Sequence, residues 1–414
     1  MRFDGRMSTA SKSTPDVTAR RVRRGGKTAA GVQPRTPVIG LEAEFSVYVK
    51  EEKCLPERIF RSPQKIVREK MIPRTGRSFH LPSGGALYFD TGVIEVATPI
   101  IEIEESCCTR VTRSLWEQIA FLREELDHWE ERSGSSVRLE GFSGHYNVSI
   151  PENRPLDTAQ MYQLALLLTF ILHSPVMLLA GNRLSTGVGV RPRDGRIEVT
   201  VDFTPDPWLT VATTTTIVAI ILAVLEWPDF NLSQLQERGF PVIAGFHPRA
   251  HTSRKGYLAR FDCFPKNPFV TDPNSVEWPT SDGRMLSLRQ IATEITSHFR
   301  EDIERLSDPD TSRYIFSVLS GRARSLLDFA ERPRRYEDVG RIIDWQRRSV
   351  RNLPRSQYEK VIHRIITHRP IQVGTSFYKP ERMRGWYEVV FRNTKTGHRR
   401  VFNLDDLVRH CAVT

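Results

Sequence analysis

The spacing of apolar and polar residues predicts most of the elements of this chain. Residues 38–49 read as a strand whose apolar positions flank Glu42 and Glu44 on both sides. Residues 86–89 and 93–98 read as two short strands, 136–150 as a longer one, and 196–203 alternates again. Residues 107–132 carry Leu115, Ile119, Leu122, Leu126 and Trp129 at steps of four and three, the stripe of an amphipathic helix. Apolar helices are expected over 158–179 and 207–227, and a short helix over 62–71. Thr210 and Thr213 to Thr216 interrupt the apolar run 209–225, which suits a helix buried in protein better than one in a bilayer. Residues 228–284, rich in Pro, Gly and Asp, read as irregular connection. Helices are expected to resume over 287–306, 314–332, 338–351 and 357–368. A hairpin of 386–391 with 399–402 closes the chain around Asn393-Thr394-Lys395-Thr396-Gly397. No internal repeat is visible. Strands and helices do not alternate as βαβ units, so the expected fold is α+β, a largely antiparallel sheet with helices on one face. The expected divisions are a basic disordered tail over 1–37, a sheet-and-helix body over 38–334, and a small, helical and hairpin C-terminal module over 335–414.

Composition narrows the class. With 414 residues, 39% hydrophobic and 26% charged, the chain is globular and long enough to bury a core without staples. Its five cysteines, Cys54, Cys107, Cys108, Cys263 and Cys411, show no CxxC spacing, and no apolar signal segment opens the chain. The expectation is a reduced, cytoplasmic protein with no membrane partner. The net charge of +11 is uneven, because the first 37 residues hold nine basic and two acidic side chains. Such an arm attracts an acidic partner, or is simply a solvated tail.

The absences exclude several chemistries. There is no GxxxxGK[ST] loop, no GxGxxG turn, no HExxH and no zinc-type Cys/His cluster. What remains is acidic and lies on strands. Glu42 and Glu44 are two apart, so both point to one face of their strand. Two carboxylates aimed together from an apolar strand need a partner, and a divalent cation such as Mg²⁺ supplies one; a solvated edge strand is the plainer alternative. Gly84-Gly85-Ala86-Leu87-Tyr88-Phe89-Asp90 puts an Asp at a strand end, and Glu95 follows between Ile94 and Val96, a poor place for an unpartnered charge. His145 and Asn147 share one face, as do Arg196, Glu198, Thr200 and Asp202. Together these strands suggest a concave polar face that binds metal and phosphate, with Arg neutralising a transferred phosphoryl group.

These residues resemble a known group. Gly40-Leu41-Glu42-Ala43-Glu44-Phe45 is similar to the opening strand of the carboxylate–amine ligases related to glutamine synthetase, and the nearer match is the Pup ligase and depupylase family. The Gly84–Asp90 segment with Glu95 and Thr98-Pro99, then Ser143-Gly144-His145-Tyr146-Asn147-Val148, then the strand from Arg196, follow the family's order. Glu198 stands where that family has His, as in glutamine synthetase, while Tyr146 and Val148 replace a family Glu and Tyr. Asp344-Trp345 and Arg384-Gly385-Trp386-Tyr387 resemble its C-terminal patches. The resemblance implies a glutamine synthetase-like fold and an enzyme using ATP and Mg²⁺. Glu42, Glu44, Glu95, His145 and Glu198 would ligate the metal. Arg196, with Arg191, Arg193 and Arg384, would contact ATP. Asp90 would be the catalytic carboxylate, and Tyr88 and Asn147 are further site candidates. It also implies a Pup-like small protein modifier and lysine-bearing protein substrates as partners, in the proteasome pathway. The reaction implied is an isopeptide ligation through a glutamyl phosphate. The 46 positions from Glu44 to Asp90 leave little room for the extra loop of the depupylases, whereas the five from Asp90 to Glu95 match their spacing, so amide hydrolysis on the same fold stays open.

Two other classes fit less of the chain. Ser62-Pro63-Gln64-Lys65, Ser281-Asp282-Gly283 and Lys395-Thr396-Gly397 mimic the order of a penicillin-binding enzyme, but 219 residues separate the first two. A non-catalytic ATP- or protein-binding relative remains a second alternative; nucleic acid is disfavoured because no RNP or helix-turn-helix signature is present.

Overall fold

The computed structural model describes residues 34–74, 78–251, 255–341 and 353–410. The tail over 1–33, most of the helix expected over 338–351, and Asp344-Trp345 lie outside the described residues. Within them, the chain builds a twelve-stranded antiparallel sheet around β1 (Val38–Val49). On one side β1 pairs with β3 (Val93–Ala97), which pairs with β2 (Ala86–Asp90). On the other it pairs with β4 (Val137–Ser149), then β6 (Arg196–Asp202), then β5 (Val188–Arg193). The short strand Tyr257–Ala259 continues one edge, and Phe79–His80 the other.

Alternation decides which face is which. Ile39, Leu41, Ala43, Phe45 and Val47 of β1 are fully buried beneath the helices, while Glu42 and Glu44 point the other way. The covering layer is α1 (Cys107–Ser133), α2 (Thr158–Ala180) and α3 (Pro207–Leu225), with α4 (Leu288–Ser297), α5 (Arg300–Leu306) and α6 (Pro309–Leu319) packed behind. The α2 and α3 helices are long and apolar enough to cross a membrane, but 83% of each apolar window is buried inside this fold. The threonines of α3 are accommodated there because they bond their own helix. Thr213 Oγ1 donates to the Leu209 carbonyl at 2.7 Å, Thr214 to Thr210 at 2.7 Å and Thr216 to Ala212 at 2.9 Å.

The β4 strand changes phase. Val137, Leu139 and Gly141 face the core, and then Gly144, Tyr146 and Val148 do. A bulge makes the switch: Phe45 pairs with Gly141 and the adjacent Glu44 with Ser143, so Phe142 is the extra residue and stands exposed. Gly141 is required there, since a Cβ would meet the Phe203 ring at 2.3 Å.

The C-terminal residues differ from expectation. Besides the foreseen hairpin, β9 (Glu388–Asn393) with β10 (Arg399–Asn403), two further strands complete a four-stranded sheet, β7 (Ile371–Val373) and β8 (Ser376–Arg384). This sheet, with α7 (Gln357–Ile366) and α8 (Leu404–His410), forms a second apolar cluster around Ile362, Val389, Phe391, Phe402 and Leu407. Arg113 of α1 ties it to the body through Glu359 at 3.0 Å and the Leu353 carbonyl at 2.7 Å. Three expected helices also change. Over 62–71 only the 3₁₀ turn Pro63–Lys65 forms. The helix over 287–306 breaks into α4 and α5 at His298 and Phe299. The helix expected over 314–332 is α6, which begins at Pro309 because Asp308 caps the Asp310 and Thr311 amides at 3.0 Å, and ends before Gly321 at φ 79°.

Candidate metal and substrate site

Register assembles the site. Glu95 of β3 stands opposite Glu44, and Tyr88 of β2 opposite Glu95. On the other side, His145 of β4 stands opposite Glu42, Asn147 opposite Glu198, and Glu198 opposite Arg191 of β5. Directly paired residues share a face, so the face turned away from the helices collects these groups whatever their distance in sequence. Glu42, Glu95 and His145 offer ligand atoms that all lie within 4.8 Å of one another, and so do Glu44, Asp90 and Glu95. His145 Nδ1 is 3.2 Å from Glu42 and 3.6 Å from Glu198; its Nε2 is 3.2 Å from the Ser143 hydroxyl and 3.6 Å from Glu44. Ser143 donates to Glu44, and Tyr88 donates to Glu95 at 2.5 Å.

Three neighbouring carboxylates cannot all be charged without a counter-charge. Burial, then the charges of Glu42 and Glu44, push the Glu95 carboxyl far above the usual carboxylate range. Burial also acts upward on Glu42, but the hydrogen bond and charge of His145, with Glu95 and Arg196, outweigh it and hold Glu42 low. Burial would lower His145, and the surrounding Glu42, Glu44 and Glu198 raise it instead. The upward shifts of Glu95 and His145 both report a cluster short of positive charge, which a divalent cation can supply. Glu42, Glu95 and His145 offer two carboxylates and one imidazole, and Glu44, Asp90 and Glu95 three carboxylates, so the oxygen-rich residues fit Mg²⁺ or Mn²⁺.

The arginines are arranged differently from a free phosphate cradle. Glu198 is gripped by Arg191 and by Arg193, so its oxygens are already engaged. Those two pairings outweigh the effect of burial and lower Glu198. Arg196 donates to Asn147 Oδ1 at 2.8 Å. Arg384 is exposed and pairs with Glu388 at 3.4 Å; its neighbours Trp386 and Tyr387 are what reach the site.

Three cavities larger than 100 Å³ open onto the cluster among the described residues. One of about 150 Å³ lies between Glu42, Asn147, Gly195 and Arg196 on the sheet and Trp386 and Tyr387 of the C-terminal sheet. A second, of about 620 Å³, has Glu44 and Asp90 in its wall together with Leu55, Ile59 and Phe142. A third, of about 560 Å³, runs past Glu44 and His145 to Arg191, Arg260 and His251. Phe142 lines both of the larger two. A groove of 1140 Å³ around Trp227, Phe240 and Phe299 includes none of these groups. The structure thus gathers Glu42, Glu44, Tyr88, Asp90, Glu95, His145, Asn147, Arg191, Arg193, Arg196 and Glu198, and leaves Arg384 at the rim. Phe142 belongs to no motif in the sequence, and Ser143 enters only as the first residue of the Ser143–Val148 segment, without a role of its own. Glycines on both sides, at Gly141 and Gly144, were the available signal of a bulge.

No protein-family model matches the chain, and no curated protein matches it. Solved structures do match. The ligase PafA, in its complex with the prokaryotic ubiquitin-like protein Pup, superposes with a TM-score of 0.51 at 12% identity, covering 91% of this chain and 93% of that one. The chain has the fold of a Pup ligase. The same ligase with ADP gives a TM-score of 0.46 at 11% identity, over 86% of this chain and 93% of that one. The mixed helix and antiparallel-sheet architecture expected from the sequence is the one observed.

Proposed function

We propose that this chain is an ATP- and Mg²⁺-dependent carboxylate–amine ligase of the Pup ligase type, joining a glutamate side-chain carboxylate to a lysine amine through a glutamyl phosphate. The observation that carries the reading is the meeting of Glu42, Glu44, Glu95 and His145 on one sheet face, with Asp90 beside them in the wall of a separate cavity.

Glu42, Glu95 and His145 would hold the metal, with Glu44 close by; when bound, the ion would neutralise phosphate oxygens and so favour transfer of the γ-phosphoryl group to the glutamate carboxylate with ADP leaving. Arg196 and Asn147 border the small cavity, with Trp386 in its wall. Glu198 fixes Arg191 and Arg193 in place, and Arg191 lines the cavity that would receive the acidic substrate. Leu55, Ile59 and Phe142 make apolar walls suited to a lysine stem, and Asp90 would accept the ammonium proton before attack. Thr91 donates to Asp90 Oδ1 at 2.9 Å and orients it.

The test is ATP binding and turnover with a Pup-like acidic protein and a lysine-bearing acceptor, wild type beside Glu42→Ala and Asp90→Asn. Glu42→Ala should lose metal-dependent ATP binding. Asp90→Asn should bind ATP and fail to form the isopeptide bond. Wild type that binds no ATP in millimolar Mg²⁺ overturns the reading.

A further inference from the structure

The half-buried Arg74 has no task in the site described above. Arg74 follows the edge strand Ile72–Pro73, and its backbone amide donates to the Ser78 carbonyl at 3.1 Å. Its guanidinium lies 3.5 Å above the Trp386 ring, and His80 meets the same indole edge-on at 5.5 Å. Both Nε and Nη1 of Arg74 are buried and have no hydrogen-bond partner among the described residues. A guanidinium keeps its charge in any protein environment, so two N–H groups removed from water without acceptors are costly. An acceptor supplied by a bound ligand would remove that cost.

The neighbourhood says what that acceptor is. The groups whose charges act on Arg74 include Glu42, Glu95 and Arg196, so it stands within electrostatic reach of the proposed cation cluster. Burial, with the like charge of Arg196, makes the guanidinium less basic than usual against the opposing effects of Tyr88, Glu42 and Glu95, and no carboxylate within the described residues forms an ion pair with it. Trp386, which Arg74 covers, also lines the small cavity beside Glu42 and Arg196. Arg196 stands in the wall of that cavity and Arg74 stands against the indole that forms another part of it. A fork of N–H donors suits the oxygens of a phosphate group, and a stacked aromatic ring limits the side-chain freedom that binding would otherwise remove.

We propose that Arg74 binds the polyphosphate of the nucleotide, held in position by Trp386 of the C-terminal sheet. The proposal rests on the nucleotide-dependent ligase reading above. It adds a phosphate contact from the edge of the sheet and makes the C-terminal residues part of the phosphate site.

The experiment compares ATP, AMP and adenosine on the full chain with Mg²⁺, by displacement of a fluorescent ATP analogue from wild type, Arg74→Gln and Arg74→Lys. Wild type should prefer ATP over adenosine. Arg74→Gln should weaken ATP at least tenfold and leave adenosine within twofold, with the ligand-free melting temperature unchanged. Arg74→Lys, which keeps the charge and loses the fork, should fall between them. It also serves as the reading should Arg74→Gln fold poorly. Equal ATP affinity in wild type and both variants overturns the role of Arg74 while leaving the ligase reading intact. A parallel loss for ATP and adenosine with a lower melting temperature makes Arg74 a structural neutraliser of Glu42 and Glu95, and also overturns the proposal. Wild type that binds neither nucleotide removes the ligase reading and this contact with it.

Discussion

The Tyr88 hydroxyl donates a 2.5 Å hydrogen bond to Glu95 Oε1, from the strand directly beside it. Burial and the charges of Glu42 and Glu95 keep Tyr88 protonated far beyond its ordinary range, so it is a permanent donor. A group that orients a metal-binding carboxylate in this way typically contributes about 10- to 100-fold to metal affinity. Tyr88→Phe should raise the Mn²⁺ dissociation constant by roughly tenfold. Counting free Mn²⁺ by its paramagnetic resonance checks this; an unchanged constant would mean that Glu95 is oriented by the sheet alone.

Asp202 carries a pH signature. It is buried on β6, and burial pushes it from 3.8 to about 6 despite the Asn182 amide donating to it at 2.8 Å. The folded state therefore holds this proton more tightly than the unfolded chain does. Below about pH 4 both states are protonated and nothing is lost; as pH rises to 6 the unfolded chain releases first and stability falls by up to about 3 kcal/mol. Asp202→Asn, which keeps an acceptor for Asn182, should lack this decline. Urea midpoints of both proteins between pH 4 and 7 should diverge with rising pH; parallel curves would contradict the assignment.

The Asp90 turn is strained. Thr91 and Gly92 form a two-residue hairpin loop with φ of 49° and 93°. A β-branched residue in that region costs about 1–2 kcal/mol, and Asn-Gly is the favoured pair. Thr91→Asn should stabilise the chain by about 1 kcal/mol in chemical denaturation. It should also slow turnover, since the hydroxyl that orients Asp90 is gone.

The bulge offers a paired test. Gly141→Ala drives a methyl into Phe203 and should destabilise by about 1–3 kcal/mol. Phe142→Ala, at an exposed position, should stay within about 0.5 kcal/mol of wild type yet raise KM for the acceptor. A Phe142→Ala enzyme with wild-type KM would remove the aromatic wall from the substrate site.

The elements that carry the carboxylates were legible because each obeys one period. In β1 the apolar residues surround Glu42 and Glu44 at period two, and α1 repeats its stripe at three and four. Those two signals locate a sheet, a covering helix and an acidic face. Register was not legible, so nothing in the sequence paired Arg191 and Arg193 with Glu198; that needs β5 beside β6. The α6 start is written in Asp308-Pro309, a cap followed by a first-turn proline, and not in the apolar residues after it that set the expected boundary at 314. Arg74 had no motif at all; its significance comes from a ring more than 300 residues away in the chain.

Phe142 is the one position where β1 and β4 do not need each other. Its neighbours Gly141 and Ser143 already sit opposite the adjacent residues Phe45 and Glu44. Removing Phe142 altogether would leave an unbroken ladder, with His145 and Asn147 still on the site face and Tyr146 and Val148 still in the core. The sheet thus carries a supernumerary residue whose loss should spare the cation cluster and merge the two larger cavities into one trough. In a lineage of such chains, this is a place where a single codon could be gained or lost to widen or narrow the acceptor, with the architecture indifferent to the change.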